Sequence, residues 1–141
     1  MKFTRRETLG MGAAASAVAL LPLPVVANTN GYEEIVSAFT GGAAVADGNV
    51  EITAPEIAEN GNTVPVGVSA PGAAAVLLVA TGNPNPGIAQ FNFGPLSGSQ
   101  SASTRIRLAR SQDLLAVAKM ADGSFVQASV AVKVTIGGCG G

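Results

Sequence analysis

Phe125-Val126-Gln127-Ala128-Ser129-Val130-Ala131-Val132-Lys133-Val134-Thr135-Ile136 alternates with period two. In an extended chain Val126, Ala128, Val130, Val132, Val134 and Ile136 share one face, while Gln127, Ser129, Ala131, Lys133 and Thr135 share the other, which predicts a strand with one buried face. Upstream, apolar or β-branched runs near 50–53, 63–70, 74–81, 88–93, 103–108 and 114–120 bring the expected number of strands to seven. Asn60-Gly61, Asp122-Gly123 and Asp47-Gly48 read as tight turns with positive φ, and Asn83-Pro84-Asn85-Pro86-Gly87 disfavours both helix and ladder. Short strands at this spacing predict an antiparallel β-sandwich. Ahead of them Tyr32, Ile35, Val36 and Phe39 recur at helical spacing and stop at Gly41-Gly42, which predicts one short N-terminal helix.

The final strand runs directly into Gly137-Gly138-Cys139-Gly140-Gly141, which holds the only cysteine of the chain. A cysteine kept for packing sits in a core, whereas four glycines give this one no side-chain cover. The expected arrangement is an arm whose root is fixed by the strand, whose tip is mobile, and whose glycines make no core contacts. Three residues beyond Ile136, at roughly 3.6 Å each, would carry the sulfur about 10 Å past the body. The nearest basic residue, Lys133, lies six positions back, so activation of the thiol is expected from elsewhere. The pattern suits a tethered nucleophile presented to other active sites. The rival readings are an exported structural module that crosslinks through Cys139, and an enzyme using Cys139 itself, which would need a base that the arm does not contain.

At the other end, Lys2, Arg5 and Arg6 precede 18 uncharged residues, 9–26, and Val25-Val26-Ala27 supplies small or permissive residues for cleavage after Ala27. Arg5-Arg6 resembles a twin-arginine export signal, although Thr8 and Gly10 depart from its commonest form. Pro22 and Pro24 interrupt the stretch and no basic cluster follows it, which argues against a retained membrane anchor. The expected organisation is a cleaved signal over 1–27, one carrier domain over 28–136 and an arm over 137–141. After cleavage 114 residues remain, with five basic and eight acidic side chains and a net charge of −3. That balance, with no basic run, excludes a nucleic-acid partner. The chain has no histidine, which removes Ser-His-Asp and Cys-His chemistry together with the commonest metal ligand. Glu33, Glu34, Asp47, Glu51, Glu56 and Glu59 are scattered among turn residues and read as solvated carboxylates rather than an acid–base pair. No metal and no cofactor are expected, and no catalytic residue is assigned. Arg105 and Arg107 alternate with Ile106 and Leu108 and form a polar strand face, a candidate for docking an acidic partner.

The ending from Val132 to Gly141, taken with Pro55-Glu56-Ile57-Ala58-Glu59-Asn60-Gly61-Asn62-Thr63-Val64-Pro65-Val66, Asn83-Pro84-Asn85-Pro86 and Ser103-Thr104-Arg105-Ile106-Arg107-Leu108-Ala109, resembles the SoxY family. These are sulfur-carrier subunits of the periplasmic thiosulfate-oxidising multienzyme system. The resemblance covers nearly all of the chain after the signal. It implies an immunoglobulin-like sandwich paired with a second small β-sandwich subunit, SoxZ, and sulfur intermediates held covalently on Cys139. It further implies a c-type cytochrome complex that loads thiosulfate, a dimanganese hydrolase that releases sulfate, and a molybdenum-haem enzyme as the candidate for oxidising the remaining sulfur. All chemistry would then belong to those partners.

Overall fold

A computed structural model describes residues 31–139. The signal segment 1–27 with Arg5 and Arg6, and the terminal Gly140 and Gly141, lie outside the described residues. Helix α1 (Tyr32–Thr40) is followed by nine strands: β1 (Val45–Asp47), β2 (Glu51–Thr53), β3 (Ile57–Asn60), β4 (Val64–Ser69), β5 (Ala73–Ala80), β6 (Gly87–Asn92), β7 (Ser101–Ile106), β8 (Gln112–Met120) and β9 (Phe125–Ile136). They form two sheets. One has the order β1-β9-β8-β5-β6, with β3 also paired to β9, and the other has the order β2-β4-β7. The sandwich of the expected class is therefore present.

All seven expected strands occur, and two further short ones, β1 and β3, are added. Both run parallel to β9 along the same edge, β1 beside Phe125, Val126 and Gln127 and β3 beside its last four residues, Lys133 through Ile136. The sheet is consequently mixed rather than wholly antiparallel. Neither addition has a legible alternation, because each has only three or four residues and at most one of them is buried.

The core between the sheets is built from period-two residues. Val64, Val66 and Val68 of β4 with Ile106 and Leu108 meet Val76, Leu78 and Ala80 of β5, Leu114, Ala116 and Ala118 of β8, and Val132 of β9. Leu77 and Val79, on the other side of β5, are buried as well, because α1 covers the outer face of the larger sheet. There Tyr32, Ile35, Val36 and Phe39 pack on Leu77, Val79, Val117 and Phe125. A strand buried on both faces reads as one continuous apolar run, which is what residues 75–80 are. Phe39 and Phe125 meet edge to face with centroids 5.9 Å apart. The helix ends at Gly41, whose φ of 66° is the left-handed conformation of a C-terminal cap.

Three expectations need correction. Ile136, counted on the buried face of β9, is 65% exposed, because the strand outruns the core at that end. Of the three Asn-Gly and Asp-Gly turns, only Gly123 has positive φ, at 87°. Gly48 and Gly61 do not, and at both a Cβ would instead collide with packed neighbours. Gly87, assigned to the strand-free segment, begins β6 and pairs with Val79.

Candidate functional site: the root of the terminal arm

At the far end of β9, three backbone segments converge. The Gly61 N–H donates to the Ile136 carbonyl at 2.7 Å, the Leu108 N–H to the Gly61 carbonyl at 2.8 Å, and the Gly138 N–H to the Leu108 carbonyl at 2.8 Å. The turn after β3, the loop after β7 and the start of the arm are thereby joined by hydrogen bonds that use no side chain.

The close approach explains the glycines. A Cβ on Gly61 would strike the Leu108 carbonyl oxygen, and one on Gly137 would strike that of Ala109. A Cβ on Gly138 would lie 2.6 Å from the Gly61 carbonyl oxygen. Gly138 is buried. The expectation that the arm's glycines make no core contacts is overturned at Gly138: Gly137, though exposed, lies against the Ala109 carbonyl, Gly138 is buried, and the first residue past this root is Cys139. Fit against Gly61 and Ala109 is a reason for glycine at these positions.

The loop carrying Leu108 is itself held by a buried amide. Asn83, 6% exposed, donates its Nδ2–H to the Arg107 carbonyl at 2.8 Å. Its Oδ1 accepts the Ala109 N–H at 2.9 Å and the Gln112 Nε2–H at 2.8 Å. Three bonds on one carboxamide remove the cost of burying it. Among the described residues, no buried side-chain nitrogen or oxygen lacks a partner.

Cys139 is exposed and its thiol is free. Its backbone N–H donates to Oδ1 of Asn62 at 3.3 Å. Arg105 and Arg107 are both exposed on the polar side of the alternation, with Ile106 and Leu108 buried between and beyond them. β7 ends at Ile106, so Arg107 belongs to the loop that holds the root. Arg105 lines an open groove with Thr53, Pro55, Pro65, Gly67 and Ser103. The acidic side chains of the first half are dispersed over α1, β1, β2, β3 and the segment before β3, and all are exposed. Among the described residues, no group of three or more His, Cys, Asp and Glu could hold a metal ion. No described helix is long and apolar enough to cross a membrane.

The sequence pattern singles out Cys139 but not what holds it. Gly61, Asn62, Asn83, Leu108 and Ala109 act on the arm across long stretches of sequence, and no local pattern marks them. The only hint was that several lie in the segments that carry the family resemblance.

Comparison with known proteins agrees with this architecture. The profile of a family described as "Sulfur oxidation protein SoxY" matches residues 36–139, from the middle of α1 to the cysteine itself. The chain belongs to the SoxY family. Among solved structures, it resembles the sulfur carrier protein SoxY from Chlorobium limicola f thiosulfatophilum, with a TM-score of 0.67 and 33% identity over 76% of this chain and 98% of that one. The superoxide reductase (neelaredoxin) from Ignicoccus hospitalis matches with a TM-score of 0.54 and 22% identity, covering 62% of this chain and 80% of that one. A putative superoxide reductase from Thermotoga maritima follows at 0.51 and 16%, covering 60% and 84%. Those two likenesses show the fold alone. Comparison with curated proteins finds no significant match. Membership of this family places the chain in sulfur oxidation.

Proposed function

We propose that this chain is a covalent sulfur carrier, holding intermediates of thiosulfate oxidation on Cys139 while partner enzymes act on them. The observation that carries the reading is the placement of the chain's lone cysteine: exposed, and one residue beyond a root fixed to the body, in a SoxY-family chain. In the loading step the Cys139 thiol and thiosulfate form a sulfur–sulfur bond. The thiol loses its proton, two electrons pass to a c-type cytochrome complex, and Cys139–S–S–SO3⁻ results. In the next step water, at a dimanganese hydrolase, cleaves the bond to the sulfonate group. Sulfate and two protons leave, and a persulfide anion stays on Cys139. A molybdenum-haem enzyme is the candidate for oxidising that sulfur.

The body supports this work without performing it. Gly137 and Gly138 seat the arm, and Gly140 and Gly141 keep the far side of the cysteine narrow. Arg105 and Arg107 are proposed as docking residues for acidic partner surfaces, and SoxZ as the companion subunit. Arg5-Arg6 is proposed to direct the chain to the periplasm by the twin-arginine route, with loss of residues 1–27.

Intact-mass measurement of the chain isolated with thiosulfate and its loading cytochrome tests the reading. The expected result is an adduct that a thiol reductant removes, since a disulfide-type bond is reducible whereas sulfinic and sulfonic acids are not. Cys139→Ser is expected to abolish thiosulfate oxidation with folding unchanged. Unmodified Cys139 under loading conditions would overturn the reading, and a stable disulfide-linked dimer as the main form would favour a crosslinking module.

A further inference from the structure

We propose that Asn62 is a positioning residue for the carrier cysteine: its side-chain oxygen accepts the Cys139 backbone N–H and thereby sets the direction in which Cys139 leaves the body. The consequence for sulfur transfer rests on the carrier reading, whereas the contact itself does not.

Both ends of this 3.3 Å bond are held close to fixed points. On one side, the Asn62 N–H donates to Asn60 Oδ1 at 3.0 Å and the Thr63 N–H to the Asn60 carbonyl at 3.4 Å, which shapes the turn. Gly61, inside that turn, is tied through its N–H to Ile136 and through its carbonyl to Leu108. On the other side, Gly138 is buried with its N–H on the Leu108 carbonyl, so Cys139 begins one peptide from an anchor. Asn62 is the residue whose side chain reaches past that anchor to the cysteine. Its chemistry suits the place. A carboxamide accepts the amide hydrogen without charge. A carboxylate would accept the same bond but would disfavour thiolate beside it.

Asn62→Ala and Asn62→Asp in the full chain test this. In Asn62→Ala, hydrogen exchange at the Cys139 amide, followed by NMR, is expected to rise about tenfold, with the melting temperature within about 2 °C of the parent. In Asn62→Asp, protection at Cys139 should remain, while alkylation of the thiol by iodoacetamide at pH 7 should slow about threefold because thiolate is the reactive form. Loading with thiosulfate by the cytochrome partner should lose severalfold in kcat/KM in Asn62→Ala, although small-reagent alkylation of that variant stays near the parent rate. Three results would overturn the proposal: parent Cys139 already exchanging at the rate of an unstructured peptide, Asn62→Asp alkylating as fast as the parent, or Asn62→Ala loading normally. Because Asp is nearly isosteric with Asn, the second result remains decisive even where Asn62→Ala folds poorly. Failure of the carrier reading would show elsewhere, as a Cys139→Ser chain that still supports thiosulfate oxidation.

Discussion

The two ends of β9 are held in opposite ways. At its start Phe125 is buried under α1 against Leu77, Val79 and Val117, and β1 lies beside it. At its finish Ile136 is exposed, and the chain is instead located by backbone bonds among Gly61, Leu108 and Gly138. The first end is secured by apolar area, which is large in energy and tolerant in direction. The second is secured by hydrogen bonds and glycine contacts, which are smaller in energy and strict in geometry. On the carrier reading, stabilising the domain and aiming Cys139 are tasks divided between the two ends of one strand.

Breaking the apolar end should have the largest effect on stability. Phe125→Ala removes a buried ring and its edge-to-face contact with Phe39, so a loss of about 3 kcal/mol is expected in denaturant titration. Protection of the Gly138 amide relative to global unfolding should stay unchanged, which would show that the two ends are independent. Next comes the support of the far end. Asn83→Ala leaves the Arg107 carbonyl and the Ala109 N–H without their partner, for a loss of about 2 kcal/mol. Here exchange at Leu108 and Gly138 should accelerate more than exchange in β5, and equal acceleration throughout would mean that Asn83 serves the fold rather than the root. Gly138→Val overlaps the Gly61 carbonyl, and the arm can yield by lifting away, so the expected loss is only about 1 kcal/mol. Loading of Cys139 should slow in the same variant. Full stability with normal loading would place the glycine requirement elsewhere.

The smallest effect lies in the turn that feeds β9. The Asp122 carboxyl is held below its ordinary value, first by the Ser124 hydroxyl and then by the Ser124 N–H. A depressed carboxylate favours the folded state above the unfolded value, and that contribution is lost as pH falls through the folded value, below the usual carboxylate range. Full exposure keeps the effect local. Exchange at the Ser124 amide should therefore quicken on acidification relative to its neighbours, without a change in overall melting, and Asp122→Asn should remove that dependence.

Much of this was legible in the residues and some of it could not be. Seven strands and the helix follow from periodicities of two and 3.6, which burial on one face imposes on any sequence. β1 and β3 escape because each is short and owes its existence to parallel pairing with a strand remote in sequence. The Asn60-Gly61 pair is legible as a turn, but its glycine answers to the Leu108 and Ile136 carbonyls and to Gly138 rather than to positive φ. Cys139 could be singled out because nothing near it in sequence could bury it. The burial of Gly138 could not be foreseen, since it depends on where two distant loops arrive.

The seat at Gly138 also changes the size of the space that the sulfur can search. A thiol three residues from its last fixed point sweeps a sphere of about 10 Å radius, and one residue from it about 4 Å, so the accessible volume shrinks roughly fifteenfold. Local concentration at any point still within reach rises by the same factor, as it does for any shortened tether. While the seat holds, a partner gains in encounter frequency if its catalytic centre lies close to the contact surface, and a centre set deep in a channel is reached only after Gly138 has been released.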